Sequence, residues 1–448
     1  MNGNDFMPGG QGREELQAYA SALDAAGVDA LCINVGWHEA RIPQIVASVP
    51  RGVFAYLARG IKEAVDVPVI ASHRINDPSV ARELIGDGMC DMVAMGRSLI
   101  ADPFLPQKAQ ESREGEIVHC IACAQGCFDH LFELKHIECL CNPEAGHEGQ
   151  RVTSVVDQPK KVMVVGGGPA GMSAARAAHA RGHNVTLYEQ DSRLGGQLYL
   201  AAAPPGREEF SELARDLAQQ LFVKKVPVAL NQEVTAELIK SKSPDAVILA
   251  TGAREVTPPL PGIALPHVVQ AWDVLAGTAH TGQQVVVIGG GAVGVETALF
   301  LAEKGTLSGE ALKFLLTNRA EDPAVLYDLC IRGTKSVVLA EMIAKVGQDI
   351  GRSTRWGMLQ ELVRAGVKTK TGTKALEIIE GGVKVEKDGK VKTLKADTVV
   401  IAAGSTPYNP LEEILKAEQV PYQVVGDANQ VARAFDAVHS GYAAGNTI

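Results

Sequence analysis

Two stretches of this chain share one order of features: an apolar strand, a glycine-rich turn and a helix. In the first, the strand at 162–165 precedes Gly166-Gly167-Gly168-Pro169-Ala170-Gly171. In the second, the strand at 285–288 precedes Gly289-Gly290-Gly291-Ala292-Val293-Gly294. The first glycine of such a turn permits the bend, the second lets the backbone approach a phosphate, and the third allows close helix packing. The sequence therefore predicts two Rossmann-like domains that hold dinucleotides at helix N-termini.

The first of these stretches is accompanied by further residues that are typical of an FAD site. The next predicted strand ends at Glu189, where an acid accepts a hydrogen bond from a ribose hydroxyl. Asp427 ends a distant strand and precedes a helix, so it is placed to bind a flavin's ribityl chain, with simple helix N-capping as an alternative. The candidate FAD residues are Gly166, Gly168, Ala170, Gly171, Glu189, Gln197 and Asp427.

The second of these stretches, together with the residues that follow it, is predicted to bind NADH. After an unusual insertion at 305–334, a strand ends at Glu341, which is placed to bind the adenosine ribose. A carboxylate repels a 2′-phosphate, so NADH is favoured over NADPH. Glu296, inside the motif's helix, either approaches the nicotinamide or is a surface acid. The candidate NADH residues are Gly289, Gly291, Gly294 and Glu341.

Five of the eight cysteines fall between residues 120 and 141. The spacing Cys120-x2-Cys123-x3-Cys127-x11-Cys139 allows four thiolates to wrap one centre, with Cys141 as a spare thiol or alternative ligand. Four cysteine ligands suit either [4Fe–4S] or tetrahedral zinc. The adjacent flavin-type motifs favour the redox centre, so the predicted metal ligands are Cys120, Cys123, Cys127 and Cys139.

Residues 13–110 alternate helices with short apolar strands, a pattern that predicts a parallel α/β sheet or barrel. Only about three strands can be read in this part of the sequence, whereas a closed (β/α)8 barrel needs eight. We therefore expect the C-terminal part of a TIM barrel, with the N-terminal half absent from this chain.

Taken together, these segments resemble the 2,4-dienoyl-CoA reductase and 2-enoate reductase family. The resemblance is carried by residues 36–43, 74–78 and 95–97, the cysteine spacing and both glycine turns, and it covers essentially the whole chain. Residues 351–356 are more similar to the enoate reductase branch. That family joins an Old Yellow Enzyme-like FMN barrel to a [4Fe–4S] segment and an FAD and NAD(P)H reductase half.

The resemblance implies an electron route from NADH through FAD and the cluster to FMN, and then to an activated C=C bond. It implies that His38 is the active-site histidine, a proton donor or carbonyl-polarising group, although a structural histidine is the alternative. It also implies an FMN phosphate site made of Ser72, His73, Ala94, Met95, Gly96 and Arg97. Arg41 and Arg74 are candidates for holding a carboxylate or thioester, or for roles in the fold.

These features predict four regions. They are a partial FMN barrel at 1–110, a cluster segment at 111–150, an FAD domain at 151–275 plus 404–448, and an NADH domain at 276–403 inserted within it. The strand ends at 248–253 and 400–405 predict the two crossings between the nucleotide domains. The net charge of −9 and the lack of a basic patch argue against nucleic acid binding.

The predicted activity is NADH-dependent reduction of an α,β-unsaturated acid or acyl-CoA. Two alternatives remain, an electron-transfer module of NADH oxidase or diaphorase type and an amine dehydrogenase of trimethylamine dehydrogenase type. Expected partners are NADH, the small-molecule substrate, a second copy of the chain and a separate chain that supplies the N-terminal barrel half. We expect a cytoplasmic protein with no membrane segment, because no apolar run is long enough to span a bilayer.

Overall fold

The computed structural model describes residues 1–37, 39–150 and 154–448. The chain divides into two compact units, each made of separated segments. The first unit contains Met1–Gly195, Glu209–Ile248 and Arg433–Ile448. The second unit contains Gly196–Glu208 and Leu249–Ala432.

The N-terminal part of the first unit alternates helices and strands as predicted. Strands β1, β2 and β3 form a parallel sheet in that order, with Leu31 opposite Val69 and Ile70 opposite Met92. Its elements are α1 (Arg13–Ala25), β1 (Leu31–Ile33), α2 (Ala55–Lys62), β2 (Val69–Ala71), α3 (Pro78–Gly86), β3 (Met92–Val93), α4 (Gly96–Ala101) and α5 (Leu105–Gln110).

The cysteine-containing segment has little regular structure, apart from a 3-10 turn at Glu114–Glu116 and the short helix α6 (Phe128–Phe132). The chain then enters the first predicted nucleotide-binding fold, whose sheet has the order β7-β4-β5-β6 within the first unit. The elements up to this point are β4 (Lys161–Val165), α7 (Pro169–Ala180), β5 (Asn184–Tyr188), α8 (Leu198–Ala202), α9 (Glu209–Val223), β6 (Val228–Ala229), α10 (Ala236–Lys242) and β7 (Ala246–Leu249). Helix α8 lies in the second unit.

The second unit is built on the parallel sheet β12-β11-β10-β16-β9. Val285, Val286 and Val287 of its central strand are at most 1% exposed, because both faces of the sheet are covered. Its elements are β8 (Ala253–Glu255), β9 (Val268–Gln270), α11 (Ala271–Ala276), β10 (Gln284–Ile288), α12 (Ala292–Ala302), α13 (Gly309–Thr317), α14 (Pro323–Ile331), β11 (Ser336–Ala340), α15 (Arg352–Arg364), β12 (Lys368–Lys370), β13 (Lys374–Ile379), β14 (Gly382–Lys387), β15 (Lys390–Lys395), β16 (Thr398–Ile401), β17 (Ser405–Pro407), α16 (Glu412–Ala417) and β18 (Tyr422–Val424).

Two smaller sheets complete the second unit. Strands β13, β14 and β15 form an antiparallel sheet, and β8 pairs with β17 where the sequence predicts the two crossings. Helices α13 and α14 occupy the predicted insertion.

The last helix, α17 (Ala434–Thr447), returns to the first unit and packs on α7. The Ser173 hydroxyl donates to the Val438 carbonyl over 2.8 Å. A Cβ added at Gly441 would lie 2.0 Å from the Ala170 carbonyl oxygen, so the two backbones can approach this closely only because a glycine is present. The first unit is therefore completed by residues from the far end of the sequence.

The predicted fold class, α/β with a partial TIM barrel and two Rossmann-like folds, is confirmed. No helix among the described residues is both long enough and apolar enough to cross a membrane.

One half-buried carboxyl in the second unit is unusual. Glu303 follows the last residue of α12, and burial, together with the nearby Glu361 and Glu208 carboxylates, raises its pKa from 4.5 to about 7. Because its pKa is raised in the folded state, the ionised side chain destabilises the fold. This destabilisation begins above pH 4.5 and is fully present above pH 7.

We expect Glu303→Gln to stabilise the protein at pH 8 by about 1 kcal/mol, after allowance for partial solvent screening, and to have little effect at pH 4. Calorimetric melting temperatures at the two pH values would measure the difference. The exposed Glu310→Gln on α13 is the matched control, and an equal effect of Glu303→Gln at both pH values would contradict the prediction.

Candidate cofactor and metal sites

The five clustered cysteines of the first unit line a single pocket. Cys120 and Cys123 lie on an irregular segment, Cys127 immediately precedes α6, and Cys139 and Cys141 lie on the loop that follows. The pocket is lined by Arg97, Ile100, Cys120, Ile121, Cys123, Ala124, Gly126, Cys127, Glu138, Cys139, Leu140 and Cys141. The structure thus brings together all four predicted ligands and the spare thiol.

The backbone turns tightly around these sulfurs. Ala122 and Ala124 have left-handed conformations, with φ of 51° and 62°, which non-glycine residues seldom adopt. The amides of Ala122, Gln125 and Phe128 donate to the sulfurs of Cys120, Cys123 and Cys127 respectively. Hydrogen bonds of this kind to cysteine sulfur tune iron–sulfur clusters.

The thiol electrostatics suit a bound cation. Burial raises the pKa of Cys120, Cys123 and Cys127, the last to about 11. Cys139 differs because the Cys141 thiol and nearby amides donate to its sulfur and lower its pKa. Buried thiolates need a positive partner, and a four-cysteine centre supplies one. The residues therefore fit [4Fe–4S] or zinc on geometry alone.

Arg97 lies between the cysteine pocket and the predicted FMN phosphate residues. Its guanidinium donates to the Ile45 carbonyl over 2.5 Å and stands 5.7 Å from the centre of the Phe128 ring. Its charge contributes to lowering the pKa of His73 on one side, and it favours the thiolate form of Cys120 on the other. One cation therefore acts on titratable groups of both predicted sites.

The remaining predicted FMN residues lie at the carboxyl ends of β2 and β3. Ser72 donates to the Ile33 carbonyl over 2.5 Å and lies 2.8 Å from His73 Nδ1. Burial lowers the His73 pKa and so favours the neutral ring. The Ala94 amide donates to the Ala71 carbonyl, and Met95 immediately precedes α4. Gly96 begins that helix, and a Cβ added there would meet no protein atom within 4 Å. His38 lies outside the described residues.

Arg74 has a role in the fold. Its side chain is 2% exposed, and it donates to the Val49 carbonyl and to Glu209 Oε1, over 2.7 Å and 2.5 Å. Arg51 pairs with the other Glu209 oxygen at 2.7 Å. Although burial opposes the effect, the two guanidinium groups hold the pKa of Glu209 below its usual range.

In the first glycine turn, the predicted ribose acid is tied directly to the backbone. Glu189 accepts from the Gly167 amide at 2.6 Å and from the Asp191 amide at 2.8 Å, and it is 7% exposed. A side chain added at Gly168 would meet no protein atom within 4 Å, which leaves room for a phosphate. Gly166, Ala170 and Gly171 form the turn and the first residues of α7.

The second glycine turn repeats this arrangement. Glu341 accepts from the Gly290 amide at 2.5 Å and from the Ile343 amide at 2.8 Å. Strand β11, which it follows, pairs in parallel with β10, so Glu341 ends the second strand of this fold as predicted. A Cβ added at Gly294 would lie 1.8 Å from the Gly289 carbonyl oxygen, which explains the third glycine.

An acid occupies the helix N-terminus where the sequence predicts a pyrophosphate. Both Asp349 carboxylate oxygens accept from the Ala292 amide at 2.9 Å, and a side chain added at Gly291 would lie 3.2 Å from one of them. The amide at the start of α12 therefore already pairs with an anionic group, and a dinucleotide bound as predicted would replace this carboxylate.

Three more predicted residues lie in the second unit. Gln197 precedes α8, and its side chain lies beside Gly252. Asp427 lies in a 3-10 turn at Gly426–Ala428 and accepts from the Ala432 amide, so it does not cap α17, whose N-cap is Arg433. The surface alternative for Glu296 is wrong, because that carboxyl is buried, pairs with Arg207 at 2.9 Å and has its pKa raised by burial.

Two residues that the structure places at these sites, Glu209 and Asp349, are not predicted from the sequence, and Arg97 is predicted for FMN alone. No local pattern marks Glu209 or Asp349, whereas an arginine at the start of a helix after a barrel strand is visible in the sequence. Pairings such as Arg74 with Glu209 join residues far apart in the chain.

Two family models match the chain. Residues 160–443 match the pyridine nucleotide-disulphide oxidoreductase model, and residues 4–116 match the NADH:flavin oxidoreductase / NADH oxidase model. A metal reductase of Desulforamulus reducens is 45% identical over 98% of this chain and 66% of its own length. An NADH oxidase of Thermoanaerobacter brockii is 39% identical over 99% of this chain and 65% of its own.

A solved structure is also similar over the whole chain. The complex of 2-naphthoyl-CoA reductase with 2-naphthoyl-CoA has a TM-score of 0.89 and 31% identity, over 100% of this chain and 64% of that one. The chain thus spans about two thirds of the length of the relatives it matches.

We expect Cys139→Ala to lose most of the cluster iron and Cys141→Ala to keep it. Cys139 is the sulfur stabilised as a thiolate, whereas Cys141 acts as a hydrogen-bond donor to it. Iron and sulfide analysis of anaerobically purified variants measures this, with Cys330→Ala in the second unit as the control. Equal iron loss in the Cys139 and Cys141 variants would contradict the assignment.

We expect Asp349→Asn to tighten NADH binding by about two- to fivefold, because the removed charge competes with the pyrophosphate at the helix N-terminus. Fluorescence titration with NADH measures the dissociation constant. The exposed Asp328→Asn on α14 has the same charge change and should leave it unaltered. Unchanged or weaker binding in the Asp349 variant would show that its carboxylate does not compete.

Proposed function

The chain belongs to the enoate and dienoyl-CoA reductase-like family of flavin oxidoreductases, and on that premise we propose that it uses NADH to reduce the C=C bond of an α,β-unsaturated acid or acyl-CoA. It is an oxidoreductase whose cofactors are FAD, FMN, NADH and an iron–sulfur cluster. When bound, these groups supply hydride acceptance from NADH, one-electron transfer and hydride delivery to the substrate.

The observation that carries this proposal is the position of Arg97. Its charge acts on His73 and on Cys120, so the predicted FMN phosphate residues and the cysteine pocket share one guanidinium. Such sharing keeps the two predicted centres close together within the first unit. The proposed order of electron flow, from the cluster to FMN, needs this proximity.

Other side chains have proposed binding roles. Glu341 would hold the adenosine ribose of NADH, and the first turn of α12 would hold its pyrophosphate. Glu189 and Asp427 would bind the FAD ribose and ribityl chain. His38 would polarise the substrate carbonyl or donate a proton. This assignment keeps the predicted NADH domain at 276–403 and the FAD domain at 151–275 plus 404–448.

A second function, electron delivery from NADH to an external acceptor, is favoured by the names of two relatives, a metal reductase and an NADH oxidase. The same Glu341 and Glu189 sites would serve it. The two functions differ in whether the first unit binds an organic substrate.

We also propose that a further polypeptide segment lies against the three-stranded sheet during substrate reduction, supplied by a separate chain. Within the described residues, β3 has a strand neighbour on one side only, so its other edge can accept another strand. Association with a second copy of the chain is an additional proposal.

The test compares wild type with Arg97→Met under anaerobic conditions. We expect the wild type to oxidise one NADH for each molecule of cinnamate or cinnamoyl-CoA that it reduces. We expect it to reduce ferricyanide with NADH as well. Loss of a charged hydrogen-bond partner of the phosphate should weaken FMN retention by about 10- to 100-fold in the variant. Its ferricyanide reduction should persist, because the predicted FAD and NADH residues are unchanged.

Arg82→Met is the matched control, since Arg82 is exposed on α3 and pairs with Glu114. Ferricyanide reduction without reduction of either enoate, with or without a complementing barrel chain, would favour the electron-transfer function. Failure of NADH to bleach the flavin would contradict both functions.

A further inference from the structure

Three metal-binding side chains converge beside the cysteine pocket. Within the first unit, the Nε2 atoms of His136 and His147 are 3.0 Å apart. Glu138 Oε1 lies 2.8 Å from His147 Nε2 and 3.8 Å from His136 Nε2. All three belong to the loop that carries Cys139 and Cys141, and none of them is among the residues predicted to bind the cluster or a flavin, although Glu138 also lines the cysteine pocket.

The three atoms cannot all be paired by hydrogen bonds among themselves. The Glu138 carboxylate only accepts, so His147 Nε2 must carry a proton to bond it. His136 Nε2 then faces the same N–H, and can only accept from it. One N–H therefore faces two acceptors, whereas a single cation at the centre would be bound by all three atoms.

The triangle has the right size for a transition-metal ion. A circle through the three donor atoms has a radius of about 1.9 Å, from the distances 3.0, 2.8 and 3.8 Å. An ion just out of this plane would lie about 2.0–2.1 Å from every donor, the bond length of zinc to imidazole and carboxylate. Two histidines and a glutamate, with water completing the tetrahedron, are a known zinc donor set.

The surroundings hold the trio in place. His130 Nδ1 lies 3.4 Å from the second Glu138 oxygen and donates to the His136 carbonyl at 3.2 Å. On α17, His439 donates to the Cys139 carbonyl at 2.9 Å. A Cβ at Gly146 would lie 2.4 Å from the Ile137 carbonyl oxygen, so this glycine lets the His147 segment approach the His136 segment. The His136 side chain is 60% exposed, which leaves the centre open to ions from solvent.

We propose that His136, Glu138 and His147 form a zinc site distinct from the cysteine centre. The ion closes a loop from residue 138 to residue 147 that contains Cys139 and Cys141. By fixing both ends of that loop, it slows the release of the cysteine-bound iron.

The test uses the full chain, purified anaerobically with its iron and sulfide quantified, and titrated with ZnCl₂. We expect one zinc per chain in calorimetry. The zinc K-edge absorption spectrum should show a nitrogen and oxygen shell at about 2.0–2.1 Å and no sulfur shell at about 2.3 Å. Iron release to a chelator should be slower with zinc than without.

His136→Ala and His147→Ala should each weaken zinc binding by about 100-fold or more, since even outer partners of a metal ligand are worth 10- to 100-fold. Because His136 is exposed, its variant should fold and keep its iron. His280→Ala, at an exposed position in the second unit, should bind zinc as wild type does. A sulfur shell around zinc, or equal affinity in the His136 and His280 variants, would overturn the proposal.

Discussion

Collecting five cysteine thiols in one desolvated pocket is the constraint on which the first unit depends. Buried sulfur resists ionisation, as the raised pKa values of Cys120, Cys123 and Cys127 show, and a set of thiolates is stable only beside compensating charge and hydrogen-bond donors. The unit provides both. Backbone amides point at the sulfurs from a turn strained into left-handed conformations, and Arg97 adds a permanent positive charge. Strain of this kind persists only where the surroundings enforce it, and here the strained residues alternate with the cysteines.

The two nucleotide turns solve a common problem in the same way. In each, an acid at the end of the second strand accepts an amide hydrogen bond from the middle of the glycine turn, Gly167 to Glu189 and Gly290 to Glu341. The carboxylate is thus already oriented for the predicted ribose contact, so less conformational entropy would be lost on binding. Among the described residues, the turns differ at the helix N-terminus, where Asp349 accepts from the first amide of α12 in the second turn. A dinucleotide bound there as predicted would exchange one anion for another.

Much of this organisation could be predicted from the sequence because it is local. The glycine turns, the acids that follow them and the spacing of the cysteines are each read within a few tens of residues, and the alternation of helices and strands over residues 13–110 is likewise visible locally. The choice between zinc and an iron–sulfur cluster at Cys120–Cys139 could not be made from the spacing, because both centres use four cysteine ligands. The pairing of Arg74 with Glu209, the burial of Glu296 and the convergence of His136 with His147 depend on how distant or irregular segments fold, which no periodic pattern encodes. His38 lies outside the described residues, so its role stays a prediction.

Helix α17 has a consequence for the order in which this protein can mature. Two residues of α17 that bond to the cysteine segment, Phe435 to Gln125 and His439 to Cys139, are made after the entire second unit has been translated. A ribosome-bound chain can therefore display Cys120 to Cys141 for the whole time needed to synthesise about three hundred further residues, while α7 waits for its partner. During that interval the thiols are exposed to oxidants and to competing metals. The cysteine pocket is thus completed only after α17 has been made, and protection of the nascent cysteines until then becomes a matter for the cell's redox and metal-handling systems.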